Sequence, residues 1–188
     1  MLFTGDVPLF EVVNTHYTPF LDWLMFNTTI MGEAWFIIVV LLLLLGKDVY
    51  RNIWYVITAT ITNVIPSMLV QVIKSAANTP RPLKLLNEAQ WIHTLPEWPR
   101  LMERSFPSGH TCGAFSFYCF LAMLLPSKYR GWGILFFMLA LAVGYSRMYL
   151  AAHFFADVYA GSILGTLLCL LIVTVMNKYS HYFFAKRS

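Results

Sequence analysis

The sequence predicts an all-α, polytopic integral membrane helical bundle of about five transmembrane helices, with short interfacial helices at its N-terminus. Three observations predict it. Of the 188 residues, 59% are hydrophobic and 12% charged, against roughly 25% charged in a soluble domain, and the mean hydropathy is +0.64. The apolar residues gather into runs of about 16–23, near the ~20 that a helix needs to cross a bilayer. Most of the Lys and Arg residues stand in short loops beside those runs, so the net charge of +4 need not imply nucleic acid, and the expected partner is the lipid bilayer, with no nucleic acid. The chain reads as one membrane-embedded domain over residues 1–188.

Residues 1–27 contain Asp6, Glu11 and Asp22 but no Lys or Arg. Leu9, Phe10, Val12, Val13, Phe20, Leu21 and Trp23 make this segment amphipathic yet too polar to span, which predicts one or two helices lying in the membrane interface. The first span is expected at about 30–45, with Glu33 near one end, and a basic loop follows at 46–52. The second, at about 53–73, carries Asn63, Pro66, Ser67 and Gln71. Those polar groups should face other helices, and Pro66 should kink the span. Residues 75–106 hold Pro80, Pro82, Pro96 and Pro99 interleaved with Trp91, Trp98, Leu85, Leu86 and Leu95. That mixture reads as a surface loop with its aromatic rings at headgroup level. Three more spans are expected at about 107–125, 132–149 and 154–176, so the bundle occupies 28–176 and a tail 177–188. Cys112, Cys119 and Cys169 lie in apolar runs without metal-type spacing and read as packing residues. The first residues lack a basic stretch ahead of an apolar core, so no cleavable signal peptide is expected.

An odd number of spans puts the termini on opposite faces. One face collects Lys47, Arg51, Lys128, Arg130, Lys178, Lys186 and Arg187, seven basic residues. The other has six, of which Lys74, Arg81 and Arg147 belong to a candidate site, leaving three. The excess of positive charge makes the first face, with the 177–188 tail, cytoplasmic.

That topology brings three pieces of chain to the outer face. Lys74 is followed by Arg81-Pro82. Pro107-Ser108-Gly109-His110 opens the third span. Ser146-Arg147 precedes His153 and Asp157, between two apolar runs. Ionisable groups at membrane depth are costly and by default mark a functional site. His153 and Asp157 are four residues apart, which on a helix would put them on one face. An Asp that accepts one ring N–H of a His leaves the other nitrogen as a nucleophile or base. Taken alone, this segment fits equally well a buried ion pair that holds two helices together. Taken together, three cations and a Ser-Gly turn at a helix N-terminus make a site for a phosphate-like anion.

These three motifs resemble those of the type 2 phosphatidic acid phosphatase and haloperoxidase superfamily, in its small bacterial membrane branch. Lys74 with Arg81-Pro82, Pro107 to His110, and Ser146-Arg147 with His153 and Asp157 match its pattern without a substitution, over roughly residues 74–157. Many relatives in that branch have six spans, and the resemblance implies that the first is missing here. It also implies a lipid phosphatase of the bacterial inner membrane, with its active site on the periplasmic, extracytoplasmic face and with no cofactor. In that scheme His153 is the nucleophile, Asp157 orients its ring, and His110 protonates the leaving oxygen and then activates water. Lys74, Arg81, Ser108, Gly109 and Arg147 hold the phosphate oxygens. Candidate substrates are undecaprenyl diphosphate, phosphatidylglycerol phosphate, phosphatidic acid and lipid A phosphates.

Other function classes compete with this reading. His110, His153 and Asp157 could make a two-His-one-carboxylate metal set, but three nearby cations would repel a divalent ion. A transporter or scaffold could line a path with such charges, although no inverted repeat is visible. Within enzymes, the alternative is a phosphotransferase that passes the phosphoryl group to a second lipid.

Overall fold

The computed structural model describes residues 5–47 and 52–180. Arg51, Lys186 and Arg187, which count toward the basic face, lie outside the described residues. Among the described residues the chain is helical without strands. Its helices are α1 (Val7–Thr15), α2 (Pro19–Ile30), α3 (Ala34–Leu44), α4 (Ile53–Ala77), α5 (Pro82–Leu85), α6 (Gly109–Leu124), α7 (Gly133–Tyr149) and α8 (Phe155–Lys178), with a 3₁₀ turn at Ser127–Trp132.

Each expected span contains a helix, but among the described residues three helices, or four with one bent pair, are long and apolar enough to cross a membrane. Helices α4, α7 with its preceding turn, and α8 are each long and apolar enough to cross a membrane. Helix α3 has 11 residues and α6 has 16. Helices α2 and α3 qualify as one span only as a pair bent by 61°. Helix α2, part of the expected interfacial segment, therefore continues into α3 through a sharp bend. The break falls at Met31-Gly32-Glu33, where a Gly and an uncapped Glu interrupt the apolar run.

Helix α4 runs through Pro66 unbroken from its Asn52 cap, whose side chain accepts the Tyr55 N–H, to a left-handed Asn78. A proline inside a helix frees the carbonyl four residues back. Here the Thr62 carbonyl accepts the Ser116 hydroxyl from α6 instead. The freed group thus becomes a link between two helices.

The tightest packing lies between α6 and α8. A Cβ added at Gly161 would stand 2.6 Å from the Ser108 carbonyl oxygen, and one at Gly165 would stand 2.3 Å from that of Cys112. Small residues spaced by four let two membrane helices approach backbone to backbone. The Ser108 N–H completes the junction by donating to the Asp157 carbonyl at 2.9 Å. In this way the start of α6 is fixed against the start of α8.

The N-terminal helices are bound to the same end. Asp6 accepts the Ala156 N–H at 3.0 Å. Buried Asn14 donates to the Tyr149 and His93 carbonyls at 2.7 and 2.9 Å and accepts the His93 N–H at 2.8 Å. Asp22 Oδ1 takes the Tyr149 hydroxyl at 2.5 Å and lies 2.7 Å from His93 Nε2. The expected surface loop is largely exposed, and it is also tied to α1, α2 and the end of α7. Leu95 and Trp98 pack there against Val13, Met148 and Val158.

If the glycine contact sets the position of α6, a larger side chain must part the helices. Gly165→Ala is expected to lower unfolding stability by about 1–3 kcal/mol, the usual cost of overpacking. Gly161→Ala should in addition reduce activity, because it pushes on Ser108. Thermal unfolding in detergent, alongside turnover, checks both.

Candidate active site

The three motifs converge at the ends of α4, α6, α7 and α8. His153 sits in the short link after α7, where the Arg147 carbonyl accepts the Ala152 and His153 N–H groups at 3.0 and 3.2 Å. Ala151, in the left-handed region at φ 52°, turns the chain so that His153 points back into the bundle. The ring is 2% exposed.

The pair with Asp157 departs from the expected form. Helix α8 begins at Phe155, so His153 precedes the helix and the two residues do not share a helical face. Asp157 belongs to the first turn, and its Oδ2 reaches back to accept the Phe154 N–H at 2.9 Å. The same oxygen accepts the Ser105 hydroxyl at 2.6 Å and lies 3.4 Å from His153 Nδ1. That last distance is too long for a good hydrogen bond. Ser105 Oγ lies 3.3 Å from Nδ1 and relays the carboxylate to the ring.

Arg81 fixes the other side of the imidazole. Its Nη1 donates to the Ala152 carbonyl at 2.9 Å and lies 3.3 Å from His153 Nε2, while its Nε donates to the Glu103 carbonyl at 2.8 Å. A guanidinium has donors only, so Nε2 faces it with a lone pair and the ring proton is assigned to Nδ1, toward Ser105 and Asp157. Burial, followed by the charges of Arg81, Arg147 and Lys74, holds the His153 pKa well below the ordinary histidine value. The ring is neutral at neutral pH, which is the state a nucleophile requires.

The remaining cations have structural partners as well. Lys74 Nζ donates to the Arg104 and Ser105 carbonyls at 2.6 and 2.9 Å, which leaves one of its three donors. Arg147 is 1% exposed; its Nη1 donates to Thr29 at 2.6 Å and its guanidinium lies 4.8 Å from the Trp98 ring centre. Its Nε is buried without a hydrogen-bond partner among the described residues.

Ser108 caps α6. Its oxygen accepts the Thr111 hydroxyl at 2.9 Å and lies 3.4 Å from the Thr111 N–H, so its own O–H is left to donate. Gly109 follows as the first residue of the helix, where backbone N–H groups have no intrahelical acceptor. A Cβ there would lie 3.9 Å from Lys74 Cε, which puts the lysine stem beside the helix start. His110, next along, has its Nε2 2.7 Å from Glu33 Oε1. The arrangement gathers N–H and O–H donors beside a buried imidazole, a set of groups suited to a tetrahedral oxyanion. Among the described residues no group of three or more His, Cys, Asp or Glu side chains is arranged to hold a metal ion.

Comparison with known proteins gives this geometry a family. The model of the PAP2 superfamily matches residues 52–180. The chain belongs to the PAP2 superfamily. It is 31% identical over 160 residues to undecaprenyl-diphosphatase BcrC of Bacillus subtilis, covering 85% of this chain and 74% of that protein. It is 30% identical over 164 residues to phosphatidylglycerophosphatase B of Bacillus subtilis, covering 82% of this chain and 74% of the relative. Its fold is similar to the crystal structure of a transmembrane PAP2 type phosphatidylglycerolphosphate phosphatase from Bacillus subtilis, with a TM-score of 0.78 and 26% identity over 94% of this chain and 87% of that one. The protein is therefore a multi-pass membrane member of a lipid phosphatase family. The PAP2 match begins at residue 52, so Thr29 and Glu33 contact motif residues from outside it.

Sequence reasoning missed Ser105, Thr29, Trp98 and Glu33 as neighbours of the site. Ser105 stands three residues before the Ser108 motif, and no periodicity or spacing distinguishes it. Its relay position makes a clear expectation. Ser105→Ala should lower kcat by ~10–100-fold, equivalent to about 1.4–2.7 kcal/mol of barrier. Asp157→Asn should cost ~10²–10⁴, as in other oriented His–carboxylate pairs. Steady-state kinetics of the two variants, with KM near the parent value, checks the ranking.

Proposed function

We propose that the protein hydrolyses the terminal phosphate of a membrane lipid, with undecaprenyl diphosphate the foremost candidate, through a phosphohistidine at His153. The observation that carries the reading is the placement of the buried His153 ring, with Nε2 3.3 Å from Arg81 Nη1 and Nδ1 3.3 Å from Ser105 Oγ, which donates to Asp157. A second supports the lipid substrate. A groove of about 650 Å³ runs between α3 and α4, with Gly109, His110 and Glu33 at one end and Leu45 and Tyr55 at the other. It follows α3, whose 11 residues extend about 16 Å at 1.5 Å per residue. A hydrocarbon chain lying there would bring its phosphate to His110.

In this mechanism His153 Nε2 attacks phosphorus while Asp157, through Ser105, keeps the ring proton on Nδ1. His110 protonates the leaving oxygen and then takes a proton from the attacking water. Arg81, Arg147, the free Lys74 donor, the Ser108 O–H and the Gly109 N–H stabilise the charge that builds on the phosphoryl oxygens. Three cations already neutralise that charge, so hydrolysis needs no divalent metal. Similarity to relatives named undecaprenyl-diphosphatase and phosphatidylglycerophosphatase supports the substrate class. The basic-residue bias supports a site on the extracytoplasmic face of a bacterial inner membrane, with the C-terminus in the cytoplasm.

Phosphate release from undecaprenyl diphosphate, phosphatidylglycerol phosphate, phosphatidic acid and lipid A phosphates tests the reading. Release is expected to be fastest with undecaprenyl diphosphate, to continue in excess chelator, and to fall with vanadate, which imitates five-coordinate phosphorus. Activity lost in chelator and restored by one divalent metal contradicts the mechanism. Label passed to a second lipid in place of water identifies a phosphotransferase.

A further inference from the structure

His110 meets the groove with one ring nitrogen already engaged. Its Nε2 lies 2.7 Å from Glu33 Oε1, and the two side chains are 26% and 37% exposed. Glu33 is the N-cap residue of α3 but makes no side-chain capping bond; its carboxylate turns to the imidazole instead. The approach depends on the residue before it. A Cβ on Gly32 would stand 2.7 Å from Val143 Cγ1 and 3.1 Å from the His110 carbonyl oxygen. The glycine thus lets the turn between α2 and α3 lie directly on α6 and α7.

We propose that Glu33 is a positioning residue for His110, anchoring Nε2 so that Nδ1 is the nitrogen that exchanges protons with the leaving group and with water. The inference rests on the phosphatase reading above. An ionised carboxylate only accepts, so Nε2 keeps its proton while Nδ1 cycles. In the first step His153 Nε2 bonds to phosphorus, the bond from phosphorus to the leaving oxygen breaks, and that oxygen takes the Nδ1 proton. In the second, a water oxygen bonds to phosphorus, the phosphorus–His153 bond breaks, and Nδ1 takes the water proton. Both histidines return to their starting states. The first step requires the imidazolium form of His110. Arg147 from α7, Arg81 from the loop before α5, and the His153 ring all face His110, and the two arginines oppose its positive charge. Glu33, at the start of α3, counters them. The site then contains two histidine–carboxylate pairs, one for each proton-handling or bond-forming ring.

Glu33→Gln keeps the length and an acceptor but removes the charge. The test uses the purified full-length protein in mixed micelles, with phosphatidic acid as an alkyl phosphate and p-nitrophenyl phosphate as an aryl one. With phosphatidic acid, kcat is expected to fall ~10–100-fold, within what general acid catalysis supplies. The aryl phosphate, whose leaving group needs little protonation, should lose less than about threefold. KM should hold, and the alkaline limb of kcat should move to lower pH, because the imidazolium is lost sooner. Glu33→Asp should restore part of the limb. If Glu33→Gln fails to fold, Gly32→Ala, which displaces the turn but keeps the carboxylate, should move the limb in the same direction. An unshifted limb with equal losses on both substrates overturns the assignment, whatever the overall rate. A wild-type protein that releases phosphate from neither of these nor from undecaprenyl diphosphate overturns the phosphatase reading itself.

Discussion

Asp157 is a carboxylate buried among cations, and it joins the start of α6, the loop before it and the His153 link, while its Oδ1 has no hydrogen-bond partner among the described residues. Its Oδ2 takes the Ser105 hydroxyl and the Phe154 N–H and faces the His153 ring. Its backbone carbonyl takes the Ser108 N–H. One residue therefore caps α8, orients His153 through the loop before α6, and fixes the start of α6. Removing one partner of a buried charged group costs several kcal/mol, so substitutions at this junction should be strongly destabilising.

The cations are restrained by the same logic. Lys74 and Arg81 donate to loop carbonyls, and Arg147 to Thr29 under the Trp98 ring. Carbonyl oxygens satisfy N–H donors without cancelling their charge, so the site stays positive while its side chains are held in place. Preorganised donors of this kind need no rearrangement when charge develops on a phosphoryl group. The N-terminal helices supply part of this frame: Asn14 and Asp22 clamp the 79–108 loop to the end of α7.

Much of this was legible in the chain itself. The residues brought together in space are those that the three motifs named, because charged groups between apolar runs have few places to go other than a shared site. Helix positions followed from the apolar runs. What could not be read depends on close tertiary approach. Gly161 and Gly165 carry no charge, and their meaning appears only when α6 lies on them. Ser105, Thr29 and Glu33 act through single contacts across long sequence separations, and local patterning does not encode such contacts. His153 and Asp157 do not share a helical face, because Phe154 is extended and α8 starts only at Phe155.

The central claim is that His153 Nε2 forms a covalent bond to phosphorus. Rapid quenching of the full-length protein with ³²P-labelled undecaprenyl diphosphate, followed by peptide mapping under alkaline conditions that preserve phosphohistidine, tests it most directly. The account predicts base-stable, acid-labile label on the peptide containing His153 and none in His153→Ala. Label on His110, or label that persists in His153→Ala, would contradict it.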